Sequence, residues 1–408
     1  MKHKIFPCVI GLGYVGLPVF IRLMKRYQTT GFDTNKKRID LLKKRKDFNY
    51  EFNAKDLSLY HNSKLTNKPQ ELKKCNFYII TVPTPLKKNL TPDLKFLENA
   101  YLYVSNFLEK DDIVIVESTV YPGATRDLAK KIFEKKTRLR INKDFFIGYS
   151  PERINPGDKK HRIENTKKIL AFETKNKLIR DKILKVYRLI TKKLVICNSL
   201  ENAETAKVIE NIQRDLNIAL MNDIFIFSKK MNLNFEEIIK LASSKWNFLK
   251  FNAGLVGGHC LPVDPYYLSF IAKKNNISLD TVLAGRNVNQ KLKDFIYNQI
   301  KKKISYLNRN IKVLISGITY KKDVSDLRNS YPLEIYLKLK KNFKSIHAFD
   351  KHCNEYDRKK FKILNKLKSN LNYSLVIFLV NHKNHNNLFN LVKKKKISFY
   401  DPFKFYSK

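Results

Sequence analysis

Six residues near the start of the chain, Gly11-Leu12-Gly13-Tyr14-Val15-Gly16, restrict its folding options more than any other feature. They follow an apolar, strand-like run, Phe6–Ile10, and open a helical pattern over Val15–Arg26. In that setting the first glycine makes a tight turn, the second lets backbone approach a pyrophosphate, and the third lets the helix pack on the strand. The helix start then offers free N–H groups and a positive dipole end to phosphates. The next strand candidate, Thr29–Phe32, leads into Asp33. That places a carboxylate about 20 residues past the glycines, where it accepts from ribose hydroxyls. Asp33 would repel a 2′-phosphate, which favours NAD over NADP. Arg38 is the opposing sign, with stacking on adenine as its other reading.

Short β-branched runs alternate with helical patterns through the first half, the mark of a parallel α/β sheet. Further strand candidates are Phe77–Val82, Ile113–Glu117, Phe145–Tyr149 and Leu194–Ile196, with helical patterns at Asn35–Lys44, Leu94–Leu108, Ala124–Lys136 and Lys175–Thr191. From about Glu201 to Met231 one periodic stretch runs without Gly or Pro, which predicts a long helix. A second helical stretch covers Leu279–Lys303, and the alternation then resumes with Val313–Ser316, Tyr331–Lys341, Ile346–Phe349, Leu375–Val380 and Ile397–Tyr400. The layout is therefore α/β over 1–198, helical over 199–303, and a smaller α/β unit over 304–408.

Composition removes several function classes. Apolar residues make up 43% of the 408, enough for packed cores, so wholesale disorder is excluded. Five scattered cysteines without CxxC spacing argue against a disulfide framework and a structural zinc site. No apolar run approaches the roughly 20 residues of a membrane helix, and the first residues lack a signal-peptide core; a soluble cytoplasmic protein is expected. The net charge of +44 raises nucleic-acid binding. The excess is mostly lysine spread over nearly every segment, however, so a solvated surface without a nucleic-acid partner is the better reading.

The segment Leu255-Val256-Gly257-Gly258-His259-Cys260-Leu261-Pro262-Val263-Asp264 carries the candidate nucleophile. Two glycines before a cysteine allow close backbone approach to a ligand, and Asp264 suits a water or cation if a helix begins there. Taken alone, a free cysteine is more often a small core residue. His259 is no natural base for Cys260, because adjacent residues on an extended chain point apart. Lys207 and Asn211, four apart on the long helix, share a face. Such a cation and amide suit a developing oxyanion, although pairs of this kind are usually solvated. Ser118 and Thr119 follow one strand, and Glu152 and Arg153 follow another, at the carboxyl edge where open α/β sheets bind ligands.

Taken in order, seven blocks resemble the UDP-glucose/GDP-mannose dehydrogenase family over nearly the whole chain. They are GLGYVGLP at Gly11–Pro18, TVPTP at Thr81–Pro85, ESTVYPG at Glu117–Gly123, YSPERINPGD at Tyr149–Asp158, KVIENIQRDLNIALMND at Lys207–Asp223, GLVGGHCLPVDPYYL at Gly254–Leu268 and GITYKKDVSDLRNS at Gly317–Ser330. The wording is most similar to the branch acting on UDP-N-acetylhexosamines in capsule and O-antigen synthesis. The resemblance implies two Rossmann-like doubly wound domains, for NAD and for the UDP-sugar, joined by a central long-helix domain that makes a homodimer. It implies Cys260 as nucleophile, Lys207 and Asn211 as oxyanion and substrate contacts, Asp264 and Thr119 as water-orienting groups, and Glu152 as the base for thioester hydrolysis. NAD contacts are implied at Gly11, Gly13, Tyr14, Val15, Gly16, Asp33, Arg38, Val82, Thr84, Ser118, Thr119 and Arg328. Substrate contacts are implied at Glu152, Arg153, Lys207, Asn211, Arg214, Phe248, Leu249, Phe251, Gly254, Gly257 and Lys321. No metal is implied. Ala253 departs from the pattern, standing where this branch usually carries proline. The nicotinamide is expected to face Cys260. The alternatives are a UDP-glucose or GDP-mannose 6-dehydrogenase, or a non-catalytic nucleotide-sugar or RNA-binding protein.

Overall fold

The strand runs are apolar at successive positions because both of their faces are buried. In Phe77–Ile80, Phe77 and Ile79 join one core while Tyr78 and Ile80 join the other. Alternate residues of Ile113–Val116 divide in the same way, as expected of a parallel sheet covered by helices on both sides. Each such side chain removed from water contributes about 1.5–3 kcal/mol. The computed structural model describes residues 4–47, 51–153, 163–307, 311–367 and 371–406. Among them no helix is long and apolar enough to cross a membrane.

These residues form two compact units. The first comprises Met1–Glu210 and Tyr266–Ile277. Its sheet contains β1 (Pro7–Ile10), β2 (Thr30–Phe32), β3 (Lys64–Thr66), β4 (Phe77–Ile80), β5 (Ile113–Val116), β6 (Phe146–Tyr149), β7 (Lys168–Phe172) and β8 (Leu194–Cys197). The order β3-β2-β1-β4-β5-β6-β7-β8 is that of a doubly wound dinucleotide fold with two added strands. The sequence predicts a wholly parallel sheet, but β7 runs antiparallel to β6 and carries β8 with it. β7 escapes sequence reading because it begins on a lysine. Lys168 is buried there and pairs with Glu117 at 2.9 Å.

The second unit comprises Asn211–Pro265 and Ser278–Lys408. Its sheet contains β9 (Val313–Ser316), β10 (Ile346–Phe349), β11 (Ile363–Leu364), β12 (Leu375–Phe378) and β13 (Ser398–Tyr400), in the order β11-β10-β9-β12-β13, all parallel. Its larger core joins the β9 and β12 side chains to Met221, Phe225 and Phe235 of the helical segment.

Two expected helices form with nearly the expected bounds, at Leu200–Lys230 and Asp280–Ser305. The stretch expected as one helix over Ala124–Lys136 is instead helical at Ala124–Ala129 and Lys135–Thr137, with a π-helical turn at Lys130–Glu134 between them. Helices also form at Phe235–Ala242, Asp264–Lys274, Glu355–Phe361 and Asn386–Lys394, which periodicity did not reveal.

Candidate active site

The glycines of the first unit meet different local demands. Gly11 turns the chain at φ +91°, a value open to glycine at little cost. A Cβ on Gly16 would overlap the Gly11 carbonyl and the Thr81 hydroxyl, so helix and strand close-pack there. A Cβ on Gly13 would meet nothing within 4 Å, which leaves the space a pyrophosphate needs. The Gly16–Leu23 helix starts without a side-chain cap, so its first N–H groups are available to phosphate. Thr81 braces the turn by donating to Gly11 O at 2.6 Å or Ile10 O at 3.0 Å. Sequence reading missed this role, which depends on a partner 70 residues away.

Asp33 accepts from the Leu12 and Asn35 N–H groups at 2.9 and 2.8 Å. A carboxylate has about four acceptor sites, so capacity remains for a ribose. Arg38 is buried, donates from Nε to Leu12 O at 2.9 Å and pairs with Asp47 at 2.8 Å. Its charge is balanced by Asp47 and it braces the glycine turn through Leu12 O.

The neighbouring strand ends are stitched together. Ser118 donates to Val82 O at 2.6 Å, Thr84 to Thr119 O at 2.7 Å, and Tyr267 to Thr84 O at 2.9 Å. With Tyr14 and Val15 on the turn, these residues line the carboxyl edge of β1, β4 and β5. After β6, Glu152 lies 3.9 Å from Lys207, and both are largely buried. Lys207 therefore points inward, against the ordinary expectation for a helical lysine. Arg153 donates to Lys167 O at 3.0 Å and pairs with Glu210. The last part of the YSPERINPGD block, Ile154–Asp158, lies outside the described residues.

In the second unit the Cys260 loop is fixed at both ends. Asn222 clamps Gly254, accepting from its N–H at 2.8 Å and donating to its carbonyl at 3.2 Å. Ala253, the departure from proline, is buried beside this clamp. A Cβ on Gly257 would come within 2.6 Å of Asn329 O, and one on Gly258 within 2.7 Å of the Tyr320 ring. The Gly258 N–H reaches Arg328 O at 3.1 Å, and Asn329 donates back to Gly258 O at 2.8 Å. Cys260 is half-buried. Its carbonyl accepts from Val263 and Asp264 N–H, both at 2.9 Å, and this turn starts the Asp264–Lys274 helix.

The buried Asp264 accepts from Asn211 at 2.6 Å, so the carboxylate and the amide expected to serve water and oxyanion hold each other in this state. Beneath the loop lies a buried network that sequence reading missed. Arg286 pairs with Asp215 at 2.5 Å and reaches Leu261 O at 3.4 Å and Tyr331 at 3.1 Å. Asn289 donates to Asp215 at 2.8 Å and accepts from Asn222 at 2.7 Å. Burial raises the Asp215 pKa to about 6 despite the opposing Arg286. Arg328, expected at NAD, forks onto Asp326, with 2.6 and 3.0 Å bonds among its contacts. Lys321, Phe248 and Phe251 are half-buried, whereas Arg214 and Leu249 are exposed. Gly257 is buried and Gly254 half-buried.

The chain matches the UDP-glucose/GDP-mannose dehydrogenase family in three parts: its NAD binding domain over residues 5–191, its central domain over 201–291 and its UDP binding domain over 314–407. It is 41% identical over 382 residues to UDP-N-acetyl-D-glucosamine 6-dehydrogenase of Salmonella typhi, covering 92% of this chain and 89% of that protein. The chain belongs to the UDP-glucose/GDP-mannose dehydrogenase family. The enzyme of the same name from Pseudomonas aeruginosa is 42% identical over 84% of this dehydrogenase and 82% of that protein. Among solved structures, UDP-D-ManNAc dehydrogenase from Pyrococcus horikoshii superposes with a TM-score of 0.83 at 26% identity, covering 97% of this chain and 93% of that one. The dehydrogenase uses NAD, and the open space over Gly13 beside Asp33 fits that cofactor.

One buried carboxylate of this dehydrogenase leads to a pH prediction. Glu204 accepts from the Gly123 and Thr125 N–H groups at 2.6 and 3.0 Å, holding the loop that follows β5. Burial raises its pKa from 4.5 to about 7. A folded value above the unfolded one favours folding fully below the unfolded value, and that contribution is lost as pH climbs to the folded one. Urea unfolding of wild type and Glu204→Gln should therefore show wild-type stability declining relative to the variant between about pH 4.5 and 7. A difference that stays flat over that range would contradict this.

Proposed function

We propose that the enzyme oxidises the C6 alcohol of a UDP-N-acetylhexosamine to the uronate, with Cys260 as nucleophile. The observation that carries the reading is the Cys260 loop, in which Cys260 is only half-buried while the chain around it is pinned by Asn222, Asn329 and Arg286. A structural cysteine needs no such mounting. Relatives above 40% identity that act on UDP-N-acetyl-D-glucosamine support the substrate class, and the uronic acid product suits cell-surface polysaccharide synthesis.

NAD supplies the hydride acceptor for each of the two oxidations. In the first, the C6 hydroxyl gives up its proton and C6 its hydride, leaving an aldehyde. Cys260 sulfur then bonds to C6, and Lys207 and Asn211 steady the thiohemiacetal oxygen. Loss of the second hydride from C6 leaves a thioester. Asp264 and Thr119 orient a water, Glu152 takes its proton, and the C–S bond breaks to return the thiol and release the carboxylate. The balance is one alcohol, one water and two NAD⁺ giving one carboxylate, two NADH and three protons. In this scheme the ground-state pairs Lys207–Glu152 and Asn211–Asp264 open to receive substrate.

We also propose a homodimer formed through the central helices and the turn between two of them, which expose Leu220, Phe227 and Leu241 on the helices and Met231 and Leu233 on the turn, and a cytoplasmic location. NADH formation across UDP-GlcNAc, UDP-GalNAc, UDP-ManNAc, UDP-glucose and GDP-mannose tests the substrate class. The highest kcat/KM is expected on UDP-GlcNAc or UDP-GalNAc, and preference for UDP-glucose or GDP-mannose would overturn the reading.

A further inference from the structure

Three loops of the second unit leave the carboxyl ends of adjacent strands β10, β9 and β12 and bring His352, Asp323 and His382 together. His352 Nε2 lies 3.4 Å from Asp323 Oδ1, and His382 Nδ1 lies 3.7 Å from the same oxygen. The three ligand atoms all fall within 4.8 Å of one another. A tetrahedral site with bonds of about 2.1 Å needs separations of roughly 3.4 Å, and the His352 and His382 rings, stacked at 4.6 Å with 21° between their planes, must turn for both lone pairs to meet one ion.

Two features distinguish the cluster from an ordinary polar patch. His352 Nε2 is buried and has no hydrogen-bond partner among the described residues, although it faces a carboxylate oxygen. His382 is fully buried and its far nitrogen, Nε2, meets Asp350 Oδ2 at 3.1 Å. Asp350 is itself held by the N–H groups of Ile318, Thr319 and His352 at 2.8, 3.1 and 2.8 Å. A carboxylate behind a histidine fixes its tautomer and turns the other nitrogen's lone pair outward, which is how metal-binding imidazoles are oriented. That lone pair now accepts the Asp323 N–H at 3.0 Å. Asp323 Oδ1 accepts from Lys383 N–H at 3.0 Å, and a carboxylate oxygen retains a second acceptor site for a cation.

We propose that His352, His382 and Asp323 bind one divalent transition-metal ion of the zinc class, with water completing the shell. Two imidazoles and one carboxylate suit zinc over magnesium or calcium, which prefer all-oxygen shells. The ion takes the His382 lone pair from the Asp323 amide and ties the three loops together. The middle loop continues to Arg328, whose carbonyl holds Gly258, so the ion steadies the segment that supports the Cys260 loop without entering the chemistry.

Calorimetric titration of the metal-stripped full-length chain with Zn²⁺ tests this, together with absorption spectra of the Co²⁺ form. One equivalent is expected to bind, with Co²⁺ showing tetrahedral d–d bands and no thiolate charge-transfer band. His352→Ala and Asp323→Asn should each weaken binding by at least ~100-fold. Asparagine tolerates the positive φ of 55° found at residue 323. Cys260→Ser should leave binding unchanged. Absence of stoichiometric binding, binding indifferent to His352→Ala, or a thiolate band would each overturn the proposal.

Discussion

Cys260→Ser should cut uronate formation by at least ~10³-fold, in line with the losses seen when an enzyme's covalent nucleophile is removed. The serine hydroxyl is a far weaker nucleophile than a thiolate and cannot form the thioester. The loop itself should survive, because backbone groups of Gly254, Gly258, Cys260 and Leu261 make the hydrogen bonds that pin it. The variant is therefore expected to fold, to bind NAD and UDP-sugar, and to release no more than one NADH per sugar, with product at the aldehyde level. Chromatography of the sugar products alongside NADH absorbance checks this. Wild-type rates of uronate from the serine variant would remove Cys260 from the mechanism.

Arg286→Leu should be the most damaging change outside the reacting groups. It strands Asp215, only 1% exposed, without its cation, and losing one member of a buried pair costs about 3–5 kcal/mol. It also takes the donor from Leu261 O, one residue from the nucleophile. Chemical denaturation should show the loss of stability, and the deficit should shrink at acid pH. Asp215 already has a pKa raised to about 6, and without Arg286 it should protonate at still higher pH. Removing the stranded charge as well, in Arg286→Leu/Asp215→Leu, should restore part of the stability. A double variant no more stable than Arg286→Leu alone would show that the pair does not act as argued.

What the sequence discloses and what it withholds separate along physical lines. The glycine turn is legible because each glycine answers a local backbone or steric demand that no other residue meets, and Asp33 follows at a fixed distance along the fold. Lys207 and Asn211 are legible as a shared face but not as inward-facing, since helical spacing does not say which face is covered. Thr81, Glu204, Asn222, Arg286 and Asn289 give no local signal. Each acts on backbone or side chains 30 or more residues away, and nothing in periodicity reports such pairs. Strand β7 is hidden for a related reason, because Lys168 breaks its apolar pattern until Glu117 is seen beside it. The pairing of Arg38 with Asp47 is not legible either, because Asp47 lies outside the dinucleotide motif. The proposed catalytic roles rest on the order of seven motif blocks and not on any one residue.

The most direct test counts reduced cofactor against sugar for the wild-type enzyme with UDP-GlcNAc and UDP-GalNAc, with acid-quenched samples analysed by intact mass. Two NADH are expected for every sugar consumed, with uronate as the only released product and a covalent adduct that maps to Cys260. One NADH per sugar with free aldehyde accumulating, and no mass added to the protein, would contradict this expectation.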